Sequence, residues 1–238
     1  MIREIADAVL DAVFPRICPV CNEIVSVSRS DICPECARKL SPVEEPVCRK
    51  CGKPLDEEDT LCRDCKSGRH IYDMGCAALI YDEYMSKSIY RFKYNGKKEF
   101  ARFYGRIIEK KCADRIKSWN VEAIVPVPVH KSRLRKRGYN QAQLIARELS
   151  GRLKIPVDAR LVKRCAATGA QKNLSAKERQ NNLKKAFKVT RNVVKLDSVL
   201  IVDDIYTTGA TVDAMAAVLK NAGVRRVYYV SLCIGRGS

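Results

Sequence analysis

The sequence predicts an α/β domain with a parallel sheet flanked by helices, preceded by a small cysteine-rich domain. From about residue 72 onward, strand-like apolar runs alternate with segments of helical periodicity, which is typical of a parallel sheet. Before that point, four C-x-x-C pairs, several prolines and acidic loops take the place of this alternation. We therefore expect two domains, covering residues 1–70 and 71–238.

Five strands and four helices are predicted in the second domain. The run Val199–Val202 is apolar without alternation, as expected for a central strand buried on both faces. The predicted strands are Cys76–Tyr81, Ala123–Val127, Leu161–Arg164, Ser198–Asp203 and Val227–Ile234. The predicted helices are Tyr84–Tyr94, Lys98–Lys117, Asn140–Leu153 and Gly209–Ala222. In the first domain, apolar residues at helical spacing predict a short amphipathic helix over the first 13 positions.

Composition limits the class of protein. Hydrophobic residues make up 46% of the 238 residues, so a buried core is feasible. No apolar run approaches the ~18 residues that a membrane-spanning helix needs. The N-terminal segment is unlike a signal peptide because it contains three acidic residues, Glu4, Asp7 and Asp11. We therefore expect a cytoplasmic protein without a membrane span.

The positive charge is concentrated in the second domain. The chain has a formal net charge of +18, yet residues 1–70 hold 11 Lys and Arg against 13 Asp and Glu. The remaining residues hold 34 basic against 14 acidic side chains. Such a one-sided field favours anionic ligands, nucleic acid above all. Solubility or a hot environment is the alternative explanation.

The C-x-x-C pairs predict two zinc sites. Each pair places two thiolates on one tight turn, and two pairs complete a tetrahedral site. The gap is eleven residues between the first two pairs and ten between the last two, and both suit a zinc ribbon. We prefer sequential pairing, in which the first two C-x-x-C pairs bind one ion and the last two bind the other. A cross-braced arrangement of the four pairs stays open. The predicted zinc ligands are Cys18, Cys21, Cys33, Cys36, Cys48, Cys51, Cys62 and Cys65.

These zinc sites are predicted to be structural. Four protein thiolates leave no open position for water, and a segment of this size needs metal to fold. The thiolates also make the segment more acidic, so we expect it to dock on the basic domain or on a protein partner. The other cysteines, Cys76, Cys112, Cys165 and Cys233, are expected in the core.

A phosphate- and ribose-binding motif is predicted at residues 199–211, VLIVDDIYTTGAT. Backbone N–H groups of Thr207–Thr211 and the positive helix end can form a cradle for a phosphate monoester. Asp203 and Asp204 follow the buried strand, where open α/β sheets place ligands, and can hold two ribose hydroxyls and Mg²⁺. The alternative is a plain acidic strand end with Thr208 capping the helix.

This stretch resembles the signature of type I phosphoribosyltransferases that binds phosphoribosyl pyrophosphate (PRPP). The resemblance implies the type I phosphoribosyltransferase fold, with Asp203 and Asp204 as the catalytic pair on the ribose hydroxyls. It also implies a 5′-phosphate site made of Thr207, Thr208, Gly209, Ala210 and Thr211. Thr207 occupies the position of the general base of purine-salvage members, so this route to purine deprotonation is not expected.

Three further segments resemble a narrower family. VPVPVHKSRLRKRGYNQAQLIARELS from Val125, YRFKYNGKKEFARFYGRII from Tyr90 and RCAATGAQKNLSAKERQNNLKKAF from Arg164 are similar to segments of the ComF family. This family consists of competence-associated, phosphoribosyltransferase-like proteins, and with the C-x-x-C pairs the resemblance covers nearly the whole chain. It implies a role in natural transformation, handling incoming single-stranded DNA beside a helicase partner.

The segments around the predicted site carry their own chemistry. A proline-spaced loop that includes Pro128 suits a pyrophosphate, and Arg164 could reach the same group. The polar stretch Thr168–Lys172 is interpreted as a mobile lid or, alternatively, as a surface hairpin. Basic residues after the loop would stabilise the departing pyrophosphate, but they are more numerous than one pyrophosphate needs. Those assigned to nucleic acid are Arg133, Arg135, Lys136 and Arg137.

A second nucleic-acid candidate lies between residues 84 and 111. Arg91, Lys98 and Arg102 alternate there with aromatic residues, a combination that suits single-stranded nucleic acid. About half of these aromatic side chains are expected to face the core instead. The aromatic residues are Tyr90, Phe92, Tyr94, Phe100, Phe103 and Tyr104.

Three functions are compatible with these patterns. The first is a protein that binds PRPP with Mg²⁺ and handles single-stranded DNA in competence. The second is a metabolic enzyme that transfers phosphoribosyl from PRPP to a nitrogen acceptor. The third, a PRPP-sensing regulator, is ranked last because no helix-turn-helix pattern is visible.

Overall fold

The computed structural model describes residues 15–25, 30–55, 59–68, 70–165, 186–190 and 196–236. The expected N-terminal helix and the stretch Thr168–Lys172 lie outside these residues. The strands are β1 (Met74–Ile80), β2 (Ala123–Pro126), β3 (Val162–Arg164), β4 (Phe187–Val189), β5 (Ser198–Tyr206) and β6 (Arg226–Ile234). The helices are α1 (Pro34–Arg38), α2 (Arg63–Lys66), α3 (Glu83–Tyr94), α4 (Phe100–Ser118), α5 (Lys131–Arg137), α6 (Gln141–Leu153) and α7 (Ala210–Asn221).

Four of these strands form one parallel sheet in the order β1-β6-β5-β2. Strand β5 lies inside the sheet, and its Ile201 is paired with Val125 on one side and Tyr229 on the other. All four side chains of Val199–Val202 are fully buried. This confirms the predicted parallel sheet and its central strand, because only a strand covered on both faces tolerates an unbroken apolar run.

The two faces of the sheet are covered differently. Leu200 and Val202 of β5 pack into a core with α3, α4 and α6. Val199 and Ile201, on the opposite face, pack into a second core with α7, the β3–β4 strand pair and the last four of the eight ribbon cysteines. The second half of the cysteine-rich segment is therefore part of the sheet's own core, so this half docks on the basic domain.

One predicted strand belongs elsewhere. Residues 161–164 were expected among the strands of the parallel sheet, but β3 pairs antiparallel with β4 in a separate two-stranded sheet. Of the three β3 side chains, only Val162 is fully buried, so the segment lacks the two-sided apolar character of an inner strand. The expectation for Cys165 is also wrong, since this residue is exposed while Cys76, Cys112 and Cys233 are buried.

The first half of the cysteine-rich segment attaches to the domain through arginines of α3 and α4. Arg91 donates a hydrogen bond of 2.8 Å to the Val20 carbonyl. Arg102 and Arg106 both pair with Asp31, whose side chain is only 5% exposed. A buried carboxylate between two arginines favours one docked position. Among the described helices, none has the length and apolar character to cross a lipid bilayer.

Candidate PRPP pocket and metal groups

A pocket of about 440 Å³ opens at the carboxyl ends of β2 and β5. The loop after β2, the start of α6 and the acidic end of β5 all contribute to its wall. The carboxyl edge of a parallel sheet is where strands turn into helices, so backbone donors and strand-end side chains converge there. Five predicted PRPP residues line this pocket together: Pro128, Arg164, Asp203, Asp204 and Thr211.

The acidic pair has an unusual electrostatic setting. The Asp204 carboxylate lies 2.6 Å from the Lys93 ammonium, and the Asp204 backbone N–H donates to Asp203 over 2.9 Å. Burial raises the pKa of the Asp203 carboxyl to about 7, with the negative Asp204 adding to the rise and Lys93 opposing it. Among the residues that the structure describes, Asp203 forms no ion pair, and a cation or hydroxyl donors from a ligand would supply a partner.

The turn between β5 and α7 depends on a glycine. Gly209 precedes α7 with a φ of 76°, a left-handed conformation that costs other residues about 1–2 kcal/mol. A Cβ atom at this position would lie 2.5 Å from the Tyr206 hydroxyl oxygen and 2.9 Å from Cε1 of His70. Thr207 and Thr208 are exposed beside it. Of the predicted 5′-phosphate residues, Thr211 lines the pocket, whereas Thr207, Thr208, Gly209 and Ala210 do not.

Side chains from the segment after the cysteine pairs support this turn from below. His70 Nδ1 lies 2.8 Å from a carboxylate oxygen of Asp213, and the Ile71 backbone N–H donates to the other oxygen over 2.7 Å. The hydroxyl groups of Tyr72 and Tyr206 lie 2.7 Å apart beneath Gly209. None of these supports was predicted, because no local pattern marks a contact between positions 143 residues apart.

A basic helix forms part of the pocket's rim. Helix α5 has no buried side chain, and Arg133, Lys136 and Arg137 all line the pocket. These three were assigned to nucleic acid, yet they share one pocket with the predicted PRPP residues. Arg135 is exposed on the same helix. Burial lowers the pKa of the Arg164 guanidinium, and the nearby positive charge of Arg133 lowers it further.

Four other polar residues, none of them assigned to PRPP from the sequence, also line the pocket: Lys93, Tyr94, Asn140 and Gln141. Asn140 caps α6 by accepting from the Ala142 N–H over 3.2 Å, and its amide donates to the Val127 carbonyl over 3.0 Å. The cap explains why an asparagine precedes this helix. Lys93 and Tyr94 lie in the basic and aromatic segment that is the second nucleic-acid candidate. The spacing of residues in the sequence does not show that the end of α3 reaches the pocket.

The second nucleic-acid candidate has partners within the chain. Arg91 and Arg102 attach the cysteine-rich segment, as described above, and the Lys98 ammonium lies 5.2 Å from the centre of the Tyr139 ring. Their assignment to nucleic acid stays a prediction. Of the aromatic residues, Phe92, Phe100, Phe103 and Tyr104 are buried, while Tyr90 and Tyr94 are exposed.

The cysteines form two groups with the preferred sequential pairing. Within each group the sulfur atoms all lie within 4.8 Å of one another; the groups are Cys18, Cys21, Cys33, Cys36 and Cys48, Cys51, Cys62, Cys65. The Cys21–Cys33 and Cys51–Cys62 sulfur pairs are 3.7 and 3.5 Å apart. A tetrahedral zinc with Zn–S bonds of about 2.3 Å requires sulfur atoms about 3.8 Å apart, so both groups fit structural zinc.

The second cysteine group is bonded to the sheet. The Tyr229 hydroxyl of β6 donates to the Cys51 carbonyl over 2.5 Å, and the Tyr229 ring stacks on Tyr206 with centroids 4.7 Å apart. Tyr206 in turn contacts Tyr72 beneath Gly209. A continuous set of aromatic contacts thus runs from the second metal group to the turn that begins α7.

Comparison with known proteins assigns a class to each part of the chain. Residues 9–66 match the model of a double zinc ribbon domain, and residues 105–238 match that of a phosphoribosyl transferase domain. A purine phosphoribosyltransferase from Pyrococcus horikoshii is similar over 58% of this chain and 72% of its own, with 18% identity and a TM-score of 0.34. The two family models show that the chain is a phosphoribosyl transferase-domain protein with a double zinc ribbon.

Two curated relatives narrow this class. Competence protein F of Haemophilus influenzae is 35% identical over 171 residues, covering 70% of this chain and 75% of that protein. The DNA utilization protein YhgH of Salmonella typhi is 33% identical over 156 residues, covering 64% of this chain and 68% of that protein. The chain belongs to the ComF family.

Proposed function

We propose that the chain binds PRPP with Mg²⁺ in this pocket and acts in DNA uptake by handling single-stranded DNA. The observation that carries the proposal is an acidic pair and a set of cations lining one pocket. Asp203 and Asp204 can accept hydrogen bonds from ribose hydroxyls, and Arg133 and Arg164 can pair with phosphates. PRPP carries both kinds of group on one small molecule.

The pocket and the turn between β5 and α7 each have a role in this proposal. The backbone donors of the turn at Gly209 and the N-terminus of α7 would hold the 5′-phosphate. Thr207, Thr208 and Thr211 would add hydroxyl donors. The loop with Pro128, together with Arg164, would hold the pyrophosphate. Asp203 and Asp204 would fix the ribose between these two anion sites.

The donor set around the acidic pair also fits Mg²⁺. Magnesium is usually held by one or two carboxylates plus substrate phosphates, and this pocket offers both elements once PRPP is present. When bound, the ion would neutralise charge on the pyrophosphate. In the protein alone, the Lys93 ammonium supplies the positive charge beside Asp204. With PRPP bound, Mg²⁺ held by the carboxylates and the phosphates would add to that positive charge.

The proposed DNA role rests on charge and on the relatives. Residues 71–238 carry the whole excess of positive charge, far more than one small anion needs. The relatives are named for competence and for DNA utilization. Both halves of the double zinc ribbon contact the rest of the chain, and its remaining surface would be the docking site for a helicase or another uptake protein.

Calorimetric titration with PRPP and Mg²⁺ tests the ligand. We expect binding by the wild type and none by Asp203→Asn, because the amide replaces an acceptor that the ribose hydroxyls need. Asp114→Asn, which removes one exposed carboxylate from α4, should bind like the wild type. No PRPP binding by the zinc-loaded wild type would exclude this part of the proposal.

Titration with single-stranded oligonucleotides at several salt concentrations tests the DNA role. Binding through lysine and arginine side chains should weaken steeply as salt rises, because released counterions drive it. Asp203→Asn should keep this binding, since it removes no positive charge. An affinity that does not change with salt would argue against the basic surface as the binding site.

A metabolic transferase remains the second candidate. The cations at Arg133 and Arg164 favour it, because they would stabilise pyrophosphate as it leaves the ribose C1 atom. Thr207 argues against a purine acceptor, since a hydroxyl cannot replace the acid of purine-salvage enzymes. Pyrophosphate release from PRPP in the presence of bases, ammonia or single strands would establish this candidate, and its absence with all of them would reject it.

A further inference from the structure

Two tyrosine rings project from helix α3 beside the pocket. The inner face of this helix is buried through residues such as Ile89 and Phe92, while Tyr90 and Tyr94 are 58% and 52% exposed. They are four residues apart and so lie on one face of the helix. Isolated exposed aromatic residues are common, but these two rings are in contact, with centroids 4.9 Å apart and planes inclined by 43°.

This pair continues the wall of the pocket. Tyr94 lines the pocket, and Tyr90 extends the aromatic surface by one helical turn beyond it. Arg137 fixes the Tyr94 ring: its guanidinium carbon lies 4.7 Å from the ring centre, and its Nη2 donates to the tyrosine hydroxyl over 3.0 Å. The other nitrogen of Arg137 donates to Gln141 over 3.0 Å. The ring is thus held in place before any ligand arrives.

The surroundings of the rings indicate what binds there. Arg133 and Lys136 of α5 line the same pocket and are exposed. An apolar protein partner would require an apolar rim around the two tyrosines, whereas this rim is cationic. Alternation of aromatic rings and positive charge matches single-stranded nucleic acid, whose bases stack while its phosphates pair.

We infer that Tyr94 and Tyr90 form a stacking platform for bases of a single strand whose phosphates contact helix α5. The inference rests on the proposed handling of single-stranded DNA and names the surface that contacts the bases. The base nearest the pocket would stack on Tyr94, and its neighbour on Tyr90. Sequence preference would be weak, because every base offers a π face and the platform carries few groups that read base edges.

The test uses zinc-loaded full-length protein and an oligothymidylate that carries one 2-aminopurine, a base whose fluorescence falls on stacking. Tyr90→Leu should weaken strand binding about five- to a hundredfold, the loss expected for one stacked base. Tyr90→Phe keeps the ring and should bind like the wild type. The control is Tyr81→Leu, the same change at a tyrosine that is 37% exposed and donates to Ser86, away from the pocket.

Three further measurements separate stacking from charge and from misfolding. The salt dependence of Tyr90→Leu should equal that of the wild type, whereas Arg133→Gln should reduce it, because only the arginine contacts a phosphate. PRPP binding by Tyr90→Leu should be unchanged, since Tyr90 lies outside the pocket. An oligonucleotide with abasic positions should bind wild type and Tyr90→Leu equally.

The outcomes distinguish this inference from the proposed function. If the wild type binds strands in a salt-dependent way but Tyr90→Leu binds equally well, the platform is refuted and the DNA role stands. If the wild type binds no single strand, both are refuted. If free 2-aminopurine nucleoside is quenched as strongly as the base within a strand, the rings serve a free acceptor base, and the strand assignment is overturned.

Discussion

The half-buried carboxylate Asp203 makes a quantitative prediction about stability. Its pKa is raised from an ordinary 3.8 to about 7 in the folded protein, so folding favours the protonated form. The protonated carboxyl stabilises the folded state in full below pH 4, and this contribution is lost as the pH rises to 7. At 1.36 kcal/mol for each pKa unit, the ionised group costs up to about 4 kcal/mol at pH 8, of which about 2 kcal/mol accumulates between pH 5.5 and 7.

Asp203→Asn removes this cost because the amide does not ionise. In Mg²⁺-free buffer we expect the variant to be more stable than the wild type at pH 8, by about 2 kcal/mol more than at pH 5.5. Urea unfolding, followed by fluorescence of the single, buried Trp119, measures the difference. Asp114→Asn controls for loss of one negative charge. If the difference between variant and wild type is the same at both pH values, the reasoning about Asp203 is refuted.

Three further changes test other parts of the structure. Gly209→Ala should lower PRPP affinity more than tenfold in calorimetry, because the added Cβ collides with the Tyr206 hydroxyl and forces the turn to move. The zinc content should stay at two ions, and an unchanged PRPP affinity would contradict this geometry. Asp31→Ala should weaken docking of the first cysteine group by about 1–3 kcal/mol, seen as faster proteolysis there, and equal cleavage rates would contradict it. Removal of zinc by a chelator should abolish PRPP binding and its return should restore it, because the second cysteine group is part of the sheet's core; binding by the metal-free protein would contradict it.

What could be predicted from the sequence is local. The run from Val199 to Thr211 contains a buried strand, an acidic strand end and a glycine turn, and each is a property of neighbouring residues. The four C-x-x-C pairs follow in the same way from the spacing of neighbouring cysteines, and sequential pairing could be preferred but not decided. Such features need no knowledge of the rest of the fold, so the sheet's central strand and the paired thiols could be predicted.

What could not be predicted depends on contacts between distant positions. Lys93 reaches Asp204 only because α3 ends over the carboxyl edge of the sheet. His70 supports Asp213 across 143 positions, and nothing in either neighbourhood indicates the other. The predicted strand Leu161–Arg164 was assigned to the wrong sheet for a related reason. A three-residue strand with one buried side chain carries too little periodicity to show which strand it pairs with.

The place of the second cysteine group in the core bears on how the chain can be divided. Its thiols pack with Tyr72, Tyr229 and α7 against one face of the sheet, where other α/β proteins use a helix. Cutting the chain near residue 70 would therefore not separate two self-sufficient units but strip a layer from one. The part with the pocket would be left with an uncovered apolar face. Exchange of ribbons between relatives would succeed only where the tyrosines beneath them match.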